Sequence, residues 1–461
     1  MRRCGVLGMA VAVLHKNELV FAEGFGKRNK DDPYTIDTVR PIGSLTKALT
    51  AMAIGELVAE GKVDWDTTPV SKHLPEFKLK DPIFTSQLTF VDILSHRTNM
   101  PNSAINWHNS KEPRRELIKR LRYTDGIPRK LGVTTNYSNI MYAVAGEAAA
   151  RVAGTSYEDL VLNKVIRSLG LKNTGFSQPT MTSLHSNNYA MPHEALTYEA
   201  AVKGEFMTIP LNGIYVSYAP AGDAYSNVLD LVRWGKAVMN LGKVDGKQVL
   251  NDTAVEETLK AHILMYNGRR GPEYGATLTY GLGWLQDSYK RAVFYRHNLP
   301  KDNNSNIDWV EEIAVSEIRT YYSTARKSAQ GFLPPKVPNK PATFANNLRD
   351  YIGEYSDPQF GTFVIGLETQ TTNSSTEAKK EVLTYKYNEF TSTLGHYHYD
   401  GFVATLDDAL LKFRALITFY ADPVSGGEKG DKKKRPIARM QIQELPAGEG
   451  ISKKVFKRRR A

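Results

Sequence analysis

The chain has 461 residues, of which 41% are hydrophobic and 24% charged, and its formal net charge is +11. A chain of this length can bury a large core and has room for two or three domains, so this composition excludes a peptide-scale binder and a wholly disordered protein. The single cysteine excludes an intramolecular disulfide and a cysteine-rich zinc site, and it is compatible with a reducing compartment.

The basic charge is concentrated near the end of the chain, in the runs Lys432–Arg435 and Lys457–Arg460. Such runs are typical of solvated loops or tails, and no nucleic-acid-binding motif accompanies them, so we expect no nucleic-acid partner. The N-terminal segment imitates a signal peptide but soon alternates like a strand, and no stretch is long enough to span a bilayer. We therefore expect a cytosolic protein without a membrane span.

The first predicted elements are a hairpin and a helix. Gly8–Leu14 and Leu19–Gly26 alternate in polarity around a polar turn, which predicts two paired strands. Apolar residues at helical spacing from Leu45 to Leu57 then predict a helix that ends at Gly61 and buries its apolar face.

Ser44 and Lys47 stand at the start of this helix, three residues apart, so their side chains share one face. Free backbone N–H groups at a helix N-terminus favour a developing oxyanion, which suits an acyl-transfer nucleophile. The amine can accept the serine proton only if burial or a nearby cation favours its neutral form. A helix-capping serine followed by a solvated lysine is the alternative interpretation of the same spacing.

A series of further segments resembles the serine β-lactamase-like proteins, which include class C β-lactamases, low-molecular-weight penicillin-binding proteins and related esterases. The segments, in order, are Ile42–Ala48, Glu60–Lys62, Leu74–Phe77, Asp92–Thr98, Asn136–Gly146, Leu169–Ser177, Ala219–Gly222 with Ser226, and Tyr280–Trp284. The resemblance implies an α+β fold, in which a helical region flanks an antiparallel sheet, over residues 1–328.

The resemblance also implies the roles of two residues opposite the serine. Tyr137 matches the family's Tyr-x-Asn tyrosine, which relays a proton when a neighbouring ammonium lowers its pKa. Asn139 matches the asparagine that positions the substrate and accepts a hydrogen bond from Lys47. Tyr225-Ser226-Asn227 repeats the tripeptide, but the residues flanking Tyr137 match the family better. His96 is interpreted as a structural loop residue.

The third element of these sites is a strand that begins Lys/His-Thr/Gly-Gly, and a backbone N–H just beyond it completes the oxyanion hole. His297 fits the first position, but Asn298 follows and Pro300 comes soon after, so we expect strands to be missing near 298–306. Either the gene model has lost coding sequence or the natural protein lacks this pocket wall. A missing oxyanion donor commonly costs about 100-fold to 1000-fold in rate.

The remaining chain predicts a proline-rich linker at 329–345 and a small antiparallel β-barrel at 346–461 that resembles the lipocalin-like domain of many such hydrolases. His396, His398 and Asp400 have the spacing of a metallo-β-lactamase zinc motif, but no later histidine completes it, so we expect no metal. The predicted strands are Phe363–Leu367, Glu381–Tyr387, Thr393–Tyr399, Phe402–Thr405, Leu416–Tyr420 and Ile437–Ile442.

The resemblance therefore implies a serine hydrolase of a small-molecule or peptide ester or amide, with Ser44, Lys47 and Tyr137 catalytic and Asn139 and His297 binding substrate. We expect no cofactor, because the chain has no Walker A loop, Gly-x-Ser-x-Gly or His-Glu-x-x-His. An acyltransferase that uses the same residues, or a catalytically impaired binding protein, are the alternatives.

Overall fold

The computed structural model describes residues 1, 5–100, 110–124, 136–195, 197–209, 211, 216–267, 277–289, 292–296, 347–371, 379–407, 412–421, 437–445 and 454–459. The chain divides into two compact units, Met1–Ile318 and Arg319–Ala461. The first combines helices with antiparallel sheets and the second contains a closed antiparallel barrel, which confirms the predicted fold class. The predicted linker at 329–345 and the strands expected to be missing near 298–306 lie outside the described residues.

The helices of the first unit pack around two long buried helices, Thr46–Ala59 and Asn139–Ala153. Within the described ranges they are α1 (Thr46–Ala59), α2 (Val70–His73), α3 (Pro82–Thr85), α4 (Phe90–Leu94), α5 (Arg114–Arg120), α6 (Asn139–Ala153), α7 (Tyr157–Val161), α8 (Gln178–Leu184), α9 (Tyr198–Lys203), α10 (Ala219–Gly222), α11 (Val228–Met239) and α12 (Asp252–Leu259).

The strands of this unit form several small antiparallel sheets: the predicted hairpin β1–β2, the sheet β3–β7–β4, the pairs β5–β6 and β8–β9, and the sheet β10–β11–β12–β13. The strands are β1 (Gly8–His15), β2 (Glu18–Gly26), β3 (Arg40–Pro41), β4 (Gly175–Phe176), β5 (His193–Glu194), β6 (Met207–Thr208), β7 (Ala224–Ser226), β8 (Lys243–Val244), β9 (Lys247–Gln248), β10 (Ile263–Asn267), β11 (Thr277–Tyr280), β12 (Leu285–Tyr289) and β13 (Ala292–Arg296).

Helix α1 lies in the middle of the core and is buried on every side. Every residue from Thr46 to Gly55 is buried, polar ones included, so the helix has no solvated face along this stretch. The apolar face of α1 is buried as predicted, and its other faces are buried as well. Small residues on the remaining faces allow other helices to approach; a Cβ at Gly55, for example, would come within 2.8 Å of the Ala254 Cβ on α12.

A short three-stranded sheet fixes the point at which the chain enters α1. Strand β3 pairs with β7 through Arg40 and Ser226 and through Pro41 and Tyr225. The next backbone N–H, that of Ile42, donates to the carbonyl oxygen of Ala224 at 2.9 Å. Because β7 directly follows α10, the same sheet also places α10 beside the first turn of α1.

The second unit contains an eight-stranded closed barrel, in which each strand pairs with the next and the first with the last. Its interior is packed with aromatic side chains; the rings of Phe363 and Tyr387, for example, stack with centroids 3.9 Å apart. The strands are β14 (Gly353–Asp357), β15 (Gly361–Thr371), β16 (Lys379–Tyr387), β17 (Phe390–His398), β18 (Gly401–Asp407), β19 (Lys412–Ala421), β20 (Ile437–Leu445) and β21 (Lys454–Arg458).

The histidines that evoke a zinc motif lie in this barrel. His396 and His398 are on β17, where the pairing register shifts between them. The buried Asp400 carboxylate accepts a hydrogen bond from the Tyr351 phenol at 2.5 Å, and His396 Nε2 lies 2.8 Å from the Tyr399 carbonyl oxygen. In the part of the chain that the structure describes, no group of three or more His, Cys, Asp or Glu side chains could hold a metal ion. No described helix is both long enough and apolar enough for a membrane span.

Two helical glycines provide a matched test of this packing. A Cβ at Gly146 on α6 would lie 2.4 Å from Pro220 Cγ, whereas a Cβ at Gly235 on α11 has no atom within 4 Å. We predict that Gly146→Ala lowers the free energy of unfolding by about 1–3 kcal/mol through overpacking. Gly235→Ala should raise it by about 0.5–1 kcal/mol, since it only improves helix propensity. Urea unfolding measures both, and equal effects would contradict the described packing of α6 on α10.

Candidate active site

Ser44 occupies the turn that leads into α1. It is the middle residue of a 3₁₀ turn, Gly43–Leu45, and is half-buried. Gly43 has φ = 53°, in the left-handed region that glycine adopts without a steric penalty. This turn sets the hydroxyl at the positive end of the helix dipole.

The Lys47 side chain is fully buried one turn along, with 0% of its surface exposed. Its Nζ lies 3.0 Å from Ser44 Oγ, 2.7 Å from Asn139 Oδ1 and 2.7 Å from the Ala221 carbonyl oxygen. The predicted meeting of hydroxyl and amine on one helix face is therefore observed, as is the predicted hydrogen bond to Asn139.

Burial shifts the proton equilibrium of this amine towards its neutral form. It lowers the pKa of Lys47 well below the ordinary value of 10.5, because the charged form loses its hydration. A neutral amine has two N–H groups, and the Asn139 and Ala221 oxygens can only accept. In the neutral form both N–H groups are committed to these two oxygens, and the lone pair of Nζ can accept the O–H of Ser44, whose Oγ lies 3.0 Å away.

Tyr137 and Asn139 enter the site from the start of α6. Asn139 is the first residue of this helix, and Tyr137 precedes it by two positions. The Tyr137 hydroxyl is hydrogen-bonded to Ser44, and Lys47 Nζ lies 4.7 Å from the centre of the tyrosine ring. Both residues are half-buried, so they line the accessible side of the site while Lys47 closes its floor.

The resemblance implies that Tyr137 relays a proton when a neighbouring ammonium lowers its pKa, but here the pKa of Tyr137 is raised. Burial raises the pKa of this phenol, and its hydrogen bond with Ser44 offsets only part of the effect. The physical reason is desolvation, because burial of the phenol disfavours the charged phenolate. Tyr137 is therefore held as a protonated phenol that can donate, and Lys47 is the better base of the two.

Sequence reasoning missed the part of the site that Ala221 supplies. The sequence marks the Pro-Ala-Gly segment only through its resemblance to the family, yet its Ala221 carbonyl accepts a hydrogen bond from Lys47 Nζ. The Thr50 hydroxyl, one turn further along α1, lies 2.7 Å from the Pro220 carbonyl oxygen and 2.8 Å from the Tyr157 hydroxyl. Thr50 thus fixes the segment that orients the lysine. Every residue has a backbone carbonyl, so the amino-acid type at position 221 does not reveal this acceptor. Only the resemblance of the segment to the family drew attention to it.

A cluster of aromatic rings lies behind Tyr137. The His96 ring is fully buried, and its centroid is 4.3 Å from that of Tyr137, 5.3 Å from Tyr142 and 4.9 Å from Tyr280. Tyr142 in turn donates to the Leu94 carbonyl oxygen at 2.6 Å. The cluster therefore joins α6 to the end of α4 and to β11.

Gly283 brings the chain after β11 against the first turns of α1. With φ = 87°, a Cβ here would lie 2.8 Å from both the Cα and the backbone nitrogen of Ala48, so glycine is required for conformation and for space. This close approach places the β11–β12 connection beside Lys47.

Two further positions were considered from the sequence, His297 and Tyr225. His297 lies outside the described residues, so its substrate-binding role stays a prediction. Tyr225, the competitor of Tyr137, lies on β7 opposite Pro41 and Gly175, and its ring meets that of His185 edge-on at 5.7 Å. Among the contacts of the described residues none links Tyr225 to Ser44 or Lys47, whereas Tyr137 is hydrogen-bonded to Ser44.

Comparisons with known proteins agree with one another. A family model described as Beta-lactamase matches residues 1–299. An unguisins hydrolase, ungD', of Aspergillus campestris (strain IBT 28561) is 29% identical over 249 residues, which are 51% of this chain and 45% of that protein. This chain spans about half the length of the curated relatives it matches.

Two solved structures have a similar fold. The octameric penicillin-binding protein homologue from Pyrococcus abyssi aligns with a TM-score of 0.53 and 20% identity, and the alignment covers 96% of each chain. The hydrolase EstCE1, described as having promiscuous acyltransferase activity, aligns with a TM-score of 0.50 and 17% identity over 61% of this chain and 78% of that one. At these identities the likeness concerns the fold alone.

The burial of the Lys47 amine leads to a prediction about how the free energy of unfolding depends on pH. Between the lowered pKa of Lys47 and 10.5, the unfolded chain binds a proton that the folded chain does not, so stability rises with pH across this window. The rise can reach about 1.4 kcal/mol per pH unit. We predict that Lys47→Met removes it, which urea unfolding of both proteins at several alkaline pH values measures.

The exposed Lys72 provides the control, because Lys72→Met should leave the pH profile of the wild-type protein unchanged. Parallel profiles for wild type and Lys47→Met would show that the Lys47 amine keeps an ordinary pKa.

Proposed function

This chain belongs to the beta-lactamase family, and from that premise we propose that it is a serine hydrolase that cleaves an ester or amide through an acyl-enzyme on Ser44. The observation that carries the proposal is the pairing of a half-buried hydroxyl with a fully buried amine whose N–H groups are committed elsewhere. Burial, which keeps the amine neutral, makes it a base for that hydroxyl.

In the acylation step, Ser44 Oγ attacks the substrate carbonyl while its proton passes to Lys47 Nζ. The bond from the carbonyl carbon to the leaving group then breaks, and the leaving group takes a proton from the Tyr137 phenol. Tyr137 suits this role because its raised pKa keeps the phenol protonated and its hydroxyl is hydrogen-bonded to Ser44. The proton now on Lys47 restores the phenol.

In the deacylation step, water attacks the acyl carbon and the same base takes its proton. The bond from the acyl carbon to Ser44 Oγ breaks, Oγ takes the proton that Lys47 Nζ received from the water, and release of the acid product returns the site to its starting state. The Asn139 amide nitrogen can donate to a substrate carbonyl while Oδ1 holds Lys47, so one side chain orients both base and substrate. His297 remains the candidate for the opposite wall.

The substrate class is proposed as a small-molecule or peptide ester or amide. A relative named as an unguisins hydrolase supports hydrolysis of this kind, and esterase or peptidase action is favoured over hydrolysis of a β-lactam because the family is broad. Acyl transfer to an alcohol or amine would use the same residues, and the hydrolase with promiscuous acyltransferase activity has the same fold. A catalytically impaired binding protein is the remaining alternative.

A covalent probe tests the proposal. We predict that an activated phosphonate with a p-nitrophenolate leaving group adds once to the wild-type protein and that Ser44→Ala abolishes the adduct, as intact mass spectrometry would record. A folded wild-type protein that takes up no label would favour the binding-protein alternative. Label that persists in Ser44→Ala would place the nucleophile elsewhere.

The two Tyr-Ser-Asn tripeptides provide a matched pair for the tyrosine. Tyr137→Phe should lower the rate of hydrolysis of a p-nitrophenyl ester by about 100-fold to 10,000-fold, the usual contribution of a positioned proton donor. Tyr225→Phe removes an equivalent hydroxyl from β7 and should leave the rate within about threefold of wild type. Equal losses in the two variants, or a larger loss in Tyr225→Phe, would contradict the assignment.

A further inference from the structure

We propose that His96 is a positioning residue for the segment Tyr137–Asn139, which it holds through its Nδ1 atom, its backbone carbonyl and its ring. The proposal rests on the function proposed above, because the segment matters for rate only if Tyr137 and Asn139 act in catalysis. It gives His96 a role in the chemistry, whereas the sequence alone suggests only a structural loop residue.

The first argument is that His96 holds the backbone on both sides of Tyr137. The N–H of Asn136 donates to the His96 carbonyl oxygen at 3.1 Å, and the N–H of Ser138 donates to His96 Nδ1 at 3.2 Å. One residue thus fixes the peptide groups that precede and follow the tyrosine. Ser138 is the N-cap residue of α6 and Asn139 is its first residue. The hydrogen bond from the Ser138 N–H to His96 Nδ1 therefore fixes the chain where the helix begins.

The second argument is that the imidazole supports the phenol from behind. Its centroid lies 4.3 Å from that of Tyr137, at 39° between the ring planes, and Tyr142 and Tyr280 pack on it as well. A ring that is fully buried among three tyrosines has little freedom to move. Tyr137 therefore rests on a fixed surface with its hydroxyl toward Ser44.

The third argument concerns the backbone of His96 itself. Its φ is 63°, a left-handed conformation that is uncommon for a residue with a side chain and costs roughly 1 kcal/mol or more. The residue follows α4 closely, so this conformation presents both its carbonyl and its ring to the chain before α6. Strain of this kind is retained where surrounding contacts fix it, often at functional sites.

A role as catalytic base is less consistent with these contacts. Nδ1 accepts a backbone N–H, and the whole side chain has 0% of its surface exposed, so a substrate cannot reach it directly. His96 acts instead through Tyr137 and Asn139. A displacement of about 1 Å in such a segment can lower a rate by about 100-fold.

Two substitutions separate the contributions of the acceptor and the ring without changing the backbone. Glycine and asparagine both adopt φ near 60° readily, so neither substitution adds strain. His96→Asn keeps an acceptor, because its Oδ1 is as many bonds from the Cα as the Nδ1 of histidine, but it removes the ring. His96→Gly removes both. His96→Ser, whose hydroxyl is one bond too short to reach the Ser138 N–H, replaces His96→Gly if that variant does not fold.

The test is the rate of labelling by the p-nitrophenyl phosphonate as a function of probe concentration, with melting temperature recorded for each variant. We expect His96→Gly to lower the maximal labelling rate by about 100-fold and His96→Asn to recover it to within about 10-fold of wild type. The half-saturating probe concentration should change by less than about threefold, because the defect lies in the orientation of reacting groups. His73→Asn, a histidine that stacks on Phe90 outside the site, is the control and should label like wild type.

A maximal rate for a folded His96→Gly within about threefold of wild type would overturn the proposal, as would equal losses in His96→Gly and His96→Asn. A loss that appears only in the half-saturating concentration would overturn it too. These failures are distinct from failure of the proposed function, which Ser44→Ala reports in the same assay. If wild type labels at Ser44 and the His96 variants label equally fast, only the role of His96 is refuted.

Discussion

The contact on which the site depends is the one between the buried Lys47 amine and the Ser44 hydroxyl, 3.0 Å apart. A charged lysine in this position would lose its hydration without a carboxylate to compensate it, because its other two hydrogen-bond partners among the described residues are an amide oxygen and a backbone carbonyl. The neutral amine satisfies the same surroundings with its two N–H groups and keeps its lone pair for the hydroxyl. Burial therefore favours the neutral form of Lys47. The two accepting oxygens in turn orient its lone pair towards Ser44.

The rest of the first unit explains how such a residue can be buried. Helix α1 runs through the core, so a side chain at its second position has no solvated direction to take. The sheet that pairs β3 with β7 fixes both the entry to this helix and the segment that supplies the Ala221 carbonyl. The close approach at Gly146 brings α6 onto α10, and the one at Gly283 brings the β11–β12 connection onto the first turns of α1, in both cases without room for a larger side chain. The packing of the helices thus determines the burial of Lys47, and through that burial it determines the electrostatics of the site.

Much of this arrangement could be predicted from the sequence. The hairpin, the helix after Ser44, the mixed fold and the barrel follow from periodicity and from the family resemblance, as does the choice of Tyr137 over Tyr225. Other features depend on tertiary contacts that leave no local pattern. The Ala221 carbonyl belongs to the backbone, the burial of α1 on all sides depends on its neighbours, and the raised pKa of Tyr137 follows from the burial of its phenol. The role proposed for the His96 ring likewise follows only from its contact with Tyr137, which the sequence does not reveal.

The most direct test of the central claim is a titration of the Lys47 amine in the folded protein. With lysine labelled with ¹³C at the ε-carbon, NMR follows the shift of each side chain with pH, and the Lys47 signal is the one missing from Lys47→Met. A midpoint well below 10.5 is the predicted result. A midpoint at or above 10.5 would mean that the amine is charged when the protein works, and would contradict its role as the base for Ser44.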